Sequence, residues 1–245
     1  MNLLQASMGR FVDLNESDKQ LLASLEQTPT AVRKHELLWR AQSRVGELFL
    51  LQSGWACTIR YSADGEQQVI ELLLPGDIIG LREFTFMRHV TEASMITLGR
   101  VQAFPHEDIV DIIEASTPLA IALFATISRQ EALLTERMLI TLHRCARSQV
   151  LHFMLETFHR LGKSQDVELA SFEFPVSQRL LGKILGMSPV HINRILKGLE
   201  QDRVLKKHRG HIEVIDPQQL IAEAEFDADY LSDEVDGLKE RLERL

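Results

Sequence analysis

Thiols and long apolar runs are what this sequence has least of. Its 245 residues hold two cysteines, Cys57 and Cys145, too few for a disulfide framework and in keeping with a reduced, cytoplasmic setting. No apolar run approaches the ~18 residues that a membrane span requires. The opening MNLLQASMGRFVDLNESD has neither a basic start nor a sustained apolar stretch, so no signal peptide is expected. No His-x-His pair followed by a glutamate occurs, which disfavours a metal-dependent enzyme. What remains is the profile of a two-domain globular chain, 45% hydrophobic and 25% charged.

Positive charge is in deficit too, with a formal net of −8, but it is unevenly spread. Between Val176 and His211 lie Arg179, Lys183, Arg194, Lys197, Arg203, Lys206, Lys207 and Arg209 against only Glu200 and Asp202, a net of +6. Pro217 to Leu245 carries nine acids and three bases, a net of −6. Attraction to a polyanion follows local potential, so one basic segment suffices in an acidic chain.

Pattern divides the chain. Leu14-Asn15-Glu16-Ser17 opens a helix expected to run to about Gln27, its acids at the end that the helix dipole favours. From Thr30 to Pro105 short β runs alternate with turns, among them Asp64-Gly65 and Pro75-Gly76-Asp77. That spacing predicts an antiparallel roll or sandwich. From His106 to about Gly162 the period changes to helical. His106–Ser116 reads as one helix, and Pro118 suits the first turn of the next. In that long helix Leu119, Leu123, Ile127, Leu134, Met138 and Leu142 form an apolar seam, expected to pair with a second copy. A polar stretch, His143–Ser148, suggests a hinge before a helix over Gln149–Leu161.

The segment from Val176 carries the chemistry. A helix with Leu180, Leu181, Ile184 and Leu185 on one side is broken at Gly186-Met187-Ser188. Glycine supplies the positive φ of a tight turn, Ser188 can cap the next helix, and Pro189 loses nothing in its first turn. The second helix, Pro189 to Glu200, buries Ile192, Ile195, Leu196 and Leu199. It leaves Val190, His191, Asn193, Arg194 and Lys197 outside. Such a pair of helices is built to read base edges in DNA. Val204-Leu205-Lys206, Arg209-Gly210 and His211–Val214 read as a hairpin wing with a basic tip.

Val176–Val214 resembles the winged helix-turn-helix of the CRP/FNR family of bacterial transcription regulators. SQRLLGKILGMSPVHINRILKGLEQDRVL carries the likeness, including the Gly182 spacing, the Gly186 turn and the Arg-Ile-Leu-Lys run. The order of a roll, a long helix, a hinge and a winged helix extends it over roughly Leu14 to Asp216. Ala224–Leu231, AEFDADYL, resembles tails of α-proteobacterial members. The resemblance implies an α+β chain: a cyclic-nucleotide-binding-like β-roll at 1–116, a dimerisation helix and hinge at 117–146, a winged helix-turn-helix at 147–216 and an acidic helical tail at 217–245. It further implies double-stranded DNA, a second copy of the chain and RNA polymerase as partners, with no membrane and no enzymatic role.

On that resemblance Arg194 matches the arginine that relatives place on a guanine, the commonest specific base contact. Val190, His191 and Asn193 complete the base-reading set. Gln178, Lys183, Ser188, Lys197 and Arg209 are candidates for phosphate. Pro189 and Val190 depart from the arginine and glutamate of the cyclic-AMP receptor protein, so a different half-site is expected, and Val190 suits a thymine methyl. Leu123, Ile127, Leu134 and Met138 are assigned to the dimer helix.

The sensed signal is less legible. The family's cyclic-AMP site needs a glutamate and then an Arg-Ser pair; here those positions fall on Leu81 and on Thr91-Glu92, with an acid where the phosphate would sit. Two cysteines cannot supply the four thiolates of an iron–sulfur cluster. Haem remains conceivable through His35, His89 or His106. Both cyclic AMP and a cluster are disfavoured, and the effector stays unknown. Alternatives are a ligand-independent regulator and a cyclic-nucleotide-binding signalling module. Leu231, Val235, Leu238, Leu242 and Leu245 form a heptad stripe in the acidic tail, either folded back on its own chain or offered to a partner.

Overall fold

The computed structural model describes residues 2–162 and 171–232. The heptad stripe after Leu231 therefore lies outside the described residues. Two helices come first, α1 (Leu3–Met8) and α2 (Glu16–Ser24). Each is opened by an asparagine whose side chain accepts a backbone N–H, while Gln5 and Asp18 return the bond to the capping residue. α2 stops at Ser24, before the Gln27 expected, and α1 is too short for its periodicity to register in sequence.

Eight strands follow: β1 (Thr30–Val32), β2 (Leu37–Trp39), β3 (Glu47–Ser53), β4 (Ala56–Tyr61), β5 (Gln67–Leu73), β6 (Ile78–Ile79), β7 (Glu92–Met95) and β8 (Gly99–Pro105). They form two four-stranded sheets, ordered β1-β8-β3-β6 and β2-β7-β4-β5. The β1–β8, β3–β8, β3–β6 and β2–β7 pairings are antiparallel, as a roll requires. Helices α3 (Asp108–Ala115) and α4 (Thr117–His143) come next. Ser116 joins them: its hydroxyl donates to buried Asp18 at 2.6 Å and accepts the Leu119 N–H at 3.2 Å.

The start of α4 closes the roll. Leu119 and Leu123 sit in one core with Leu22, Leu48, Ile78 and Phe104, and Ile127 packs against its edge. This corrects the assignment of Leu123 to a dimer face, since the side chain is 3% exposed among the chain's own residues. One stripe cannot face both a core and a second copy. The apolar groups left in water are Phe124 (63% exposed), Met138 (56%), Leu139 and Leu142 (68%). Positions 124, 128, 131, 135, 138 and 142, all exposed, step by four and three in the heptad manner.

The chain separates into two units, one of residues 1–58 and 72–131, the other of residues 59–71 and 132–231. The second holds α5 (Ala146–Arg160), β9 (Ser171–Glu173), α6 (Gln178–Leu185), α7 (Pro189–Gln201), β10 (Leu205–His208), β11 (His211–Val214) and α8 (Pro217–Ala224), then a 3-10 turn at Asp229–Leu231. The break between α4 and α5 is only Arg144-Cys145, narrower than the polar stretch suggested. β10, β11 and β9 make a three-stranded antiparallel sheet. Its hairpin turns at Arg209-Gly210, both with positive φ, as two-residue hairpins prefer. Among the described residues no helix is long and apolar enough to cross a membrane.

Leu123→Ala should lower unfolding stability by about 2–5 kcal/mol, the usual cost of a large-to-small core change, and leave self-association unchanged. Thermal melting with sedimentation checks this. Weakened association at unchanged stability would return Leu123 to the dimer face.

Candidate nucleic-acid interface

In the second unit α6 and α7 are capped at their starts and pack their apolar sides together. Ser177 caps α6 by accepting the Leu180 N–H at 3.1 Å, and Ser188 caps α7 by accepting the His191 N–H at 3.2 Å. Leu181, Ile184 and Leu185 of α6, and Ile192, Leu196 and Leu199 of α7, are buried. Two glycines permit the crossing. Gly186 takes φ 68°, in the left-handed region, and a Cβ on Gly182 would stand 2.3 Å from the Met187 carbonyl oxygen. The Met187 N–H also donates to the Gly182 carbonyl at 2.8 Å.

With that side of α7 buried, the opposite side lines an open groove: Pro189, Val190, Asn193, Arg194, Lys197 and Gln201, with Gln178 across from them. Val190 is 79% exposed, with its methyl groups open to the groove. Asn193 is not loose, since its Nδ2 donates to Gln178 Oε1 at 2.9 Å. Gln178 thus braces a base-reading candidate through its amide oxygen. Arg194 and Lys197 are exposed.

The candidates fare unequally. Val190, Asn193, Arg194, Lys197 and Gln178 come together. His191 is half-buried and stands outside the groove lining, about 100° round the helix from Val190. Ser188 already accepts the capping bond, so only its hydroxyl proton is free for a phosphate. Lys183 is engaged, donating to Gln67 in a second groove between residues 62–68 and 179–189. It reaches DNA only if that bond opens. Arg209 sits exposed at the wing tip, whereas Lys207 turns inward to the Phe174 carbonyl at 3.2 Å. Gln201 went unnoticed in sequence, although it continues the i, i+4, i+7, i+11 series begun at Val190.

In the roll, Leu81 is 1% exposed and belongs to the same core as Leu48 and Phe104. The residue that the resemblance sets at a ribose-binding glutamate is thus a core leucine. Thr91 is buried and Glu92 half-buried. Beside them His89 Nδ1 meets Glu83 Oε2 at 2.8 Å, both buried, and the imidazole stacks on Trp39 at 4.3 Å. His35 lies in an exposed turn, and His106 Nδ1 is 3.1 Å from the Gly46 carbonyl oxygen. Cys57 is buried, 3.8 Å from the Ser94 hydroxyl, and Cys145 is exposed at the start of α5. Among the described residues no cluster of three or more His, Cys, Asp or Glu could hold a metal ion.

A roll, a long helix and a winged helix-turn-helix with an open reading face define a DNA-binding transcription regulator. The sequence model of the Crp-like helix-turn-helix domain matches residues 148–223, and that of the cyclic nucleotide-binding domain matches 29–116. Among relatives, the anaerobic regulatory protein of Pasteurella multocida is 23% identical over 85% of this chain and 76% of its own. The transcriptional activator protein Anr of Pseudomonas protegens is 22% identical over 86% of each. The structure of FixK2 from Bradyrhizobium japonicum superposes with a TM-score of 0.72 at 22% identity, covering 81% of this chain and 97% of that one. The chain belongs to the CRP/FNR family of transcription regulators.

Titration calorimetry with cyclic AMP and cyclic GMP should give no saturable heat, because a buried leucine cannot hold a ribose hydroxyl. Saturable micromolar binding would contradict this placement of Leu81 and Thr91.

Proposed function

We propose that the protein acts as a homodimer reading a near-palindromic DNA site through α7 of each subunit. Its control signal reaches the roll by chemistry other than the family's cyclic-nucleotide contacts. The observation that carries this is the reading face itself: Val190, a braced Asn193, Arg194 and Lys197 share one open groove while Ile192 and Leu199 anchor the other side. Arg194 takes a guanine, Val190 lies against a thymine methyl, and Gln178, Ser188, Lys197 and Arg209 meet phosphates. Two-fold symmetry sets the half-sites about one helical turn apart, ~34–36 Å.

The exposed heptad positions of α4, with Phe124, Met138 and Leu142 at their apolar steps, form the dimer seam in this reading. Residues 1–116 serve as the sensory domain, 117–146 as the dimer helix and hinge, 147–216 as the DNA-binding domain and 217–245 as an acidic tail. The protein works in the cytoplasm, meets RNA polymerase on DNA and performs no catalysis. A ligand-independent regulator is a second reading, favoured by the commitment of Leu81 to the roll's own core.

Arg194→Ala should weaken specific binding by ~1–3 kcal/mol and relax preference at one base pair of each half-site. Competition titrations on single-base operator variants check it, and an unaltered preference would remove Arg194 from base reading. Leu142→Glu should shift the sedimenting species from dimer to monomer at micromolar concentration. A dimer that persists would place the seam elsewhere.

A further inference from the structure

The match to the helix-turn-helix family ends at residue 223, yet residues 224–231 continue from α8 and pack on α5. Glu225 takes a left-handed conformation, φ 46°, and turns the chain back from α8 onto α5. Ala224 and Leu231 are buried. The Phe226 ring meets His152 edge-on at 4.8 Å and lies 4.8 Å from His159. Tyr230 lies nearly parallel to His152, with its hydroxyl 3.2 Å from Nε2, and donates to Glu156 Oε2 at 3.1 Å. Burial holds His152 down to about 4, so the imidazole is neutral there at ordinary pH.

Glu156 is a carboxylate buried in α5, and its partners come from three parts of the chain. Arg137 of α4 and Arg160 of α5 each approach its Oε1 at 3.8 Å, and Tyr230 supplies the hydrogen bond to Oε2. Arg137 is fixed in turn by donating to the Ile70 carbonyl at 2.8 Å. Glu136 of α4 stands 3.9 Å from His152. Nearer the break, Arg144 pairs with Glu225, and Arg147 grips Glu223 through Nε and Nη2 at 2.6 and 3.2 Å. Arg147 also reaches Asp202, the C-cap of α7, at 2.5 Å.

A two-residue break leaves the angle between α4 and α5 to side chains. Those that tie α4 to α5 are closed over by Phe226 and Tyr230, and a buried carboxylate that loses a hydrogen-bond donor is costly. We propose that residues 224–231 are a positioning element for the DNA reader. They lock the hinge between α4 and α5, with Tyr230 and Phe226 as the positioning residues, and contact no DNA themselves. Glu225, Asp227 and Asp229 would be repelled by phosphate, so the segment's effect on DNA binding runs through the hinge.

The inference rests on the DNA-reading function, and the test separates the two. In the full-length protein with Cys145→Ser, spin labels at Thr141→Cys on α4 and Glu213→Cys on β11 report the hinge by their distance distribution. Affinity for a selected duplex and for a random duplex is measured on the same preparations. Tyr230→Phe and Phe226→Ala should broaden the distribution and lower selected-site affinity about tenfold or more, with random-duplex affinity unchanged. Tyr230→Phe removes only a hydroxyl and serves as the variant that keeps the fold. A narrow distribution and unchanged selectivity in both variants would overturn the inference, as would a loss of selectivity without broadening. Failure of the parent protein to prefer any duplex would instead overturn the DNA-reading function.

Discussion

The DNA-facing chemistry of this chain depends on the burial of one side of α7. Ile192 and Leu199 have no exposed surface and Leu196 little, and each such side chain contributes roughly 1.5–3 kcal/mol by leaving water. The helix cannot roll about its axis without exposing them, so Val190, Asn193, Arg194 and Lys197 are fixed outward as a set. Gly182 permits that burial, because the Met187 carbonyl occupies the space a side chain would need. A loosely packed α7 would carry the same residues with no defined face, and base reading requires a defined face.

The long helix α4 meets a different constraint, since its apolar surface has two claimants. Its first turns close the roll through Leu119 and Leu123, leaving a second stripe one residue over, at Phe124, Met138 and Leu142. Its last turns meet α5 through Arg137 and Glu136, whose partners Glu156 and His152 lie beneath Phe226 and Tyr230. Along one helix, burial of Leu119 and Leu123 in the roll gives way to an exposed apolar stripe that runs beside the charged contacts of Glu136 and Arg137.

Local signals made the reader legible in sequence. The spacing of Leu181, Ile184, Ile192 and Leu199, the turn at Gly186 and the cap at Ser188-Pro189 all act within a few residues, and they agree. The β-roll was legible as a class for the same reason, through short alternating runs and the Asp64-Gly65 and Pro75-Gly76 turns. Sequence could not tell Leu123 from Phe124. Both are apolar neighbours on one helix, and only the tertiary fold decides which meets the core. The Lys183–Gln67 and Tyr230–Glu156 bonds join residues far apart in the chain, and no periodicity foreshadows them. β9, with three residues, was too short to announce itself.

Selection of binding sites from a random duplex pool by the full-length wild-type protein tests the central claim most directly. The account predicts enrichment of a two-fold-symmetric sequence with guanines in matching positions of two half-sites about one helical turn apart. Recovery of no common sequence, or of a single asymmetric half-site, would contradict it.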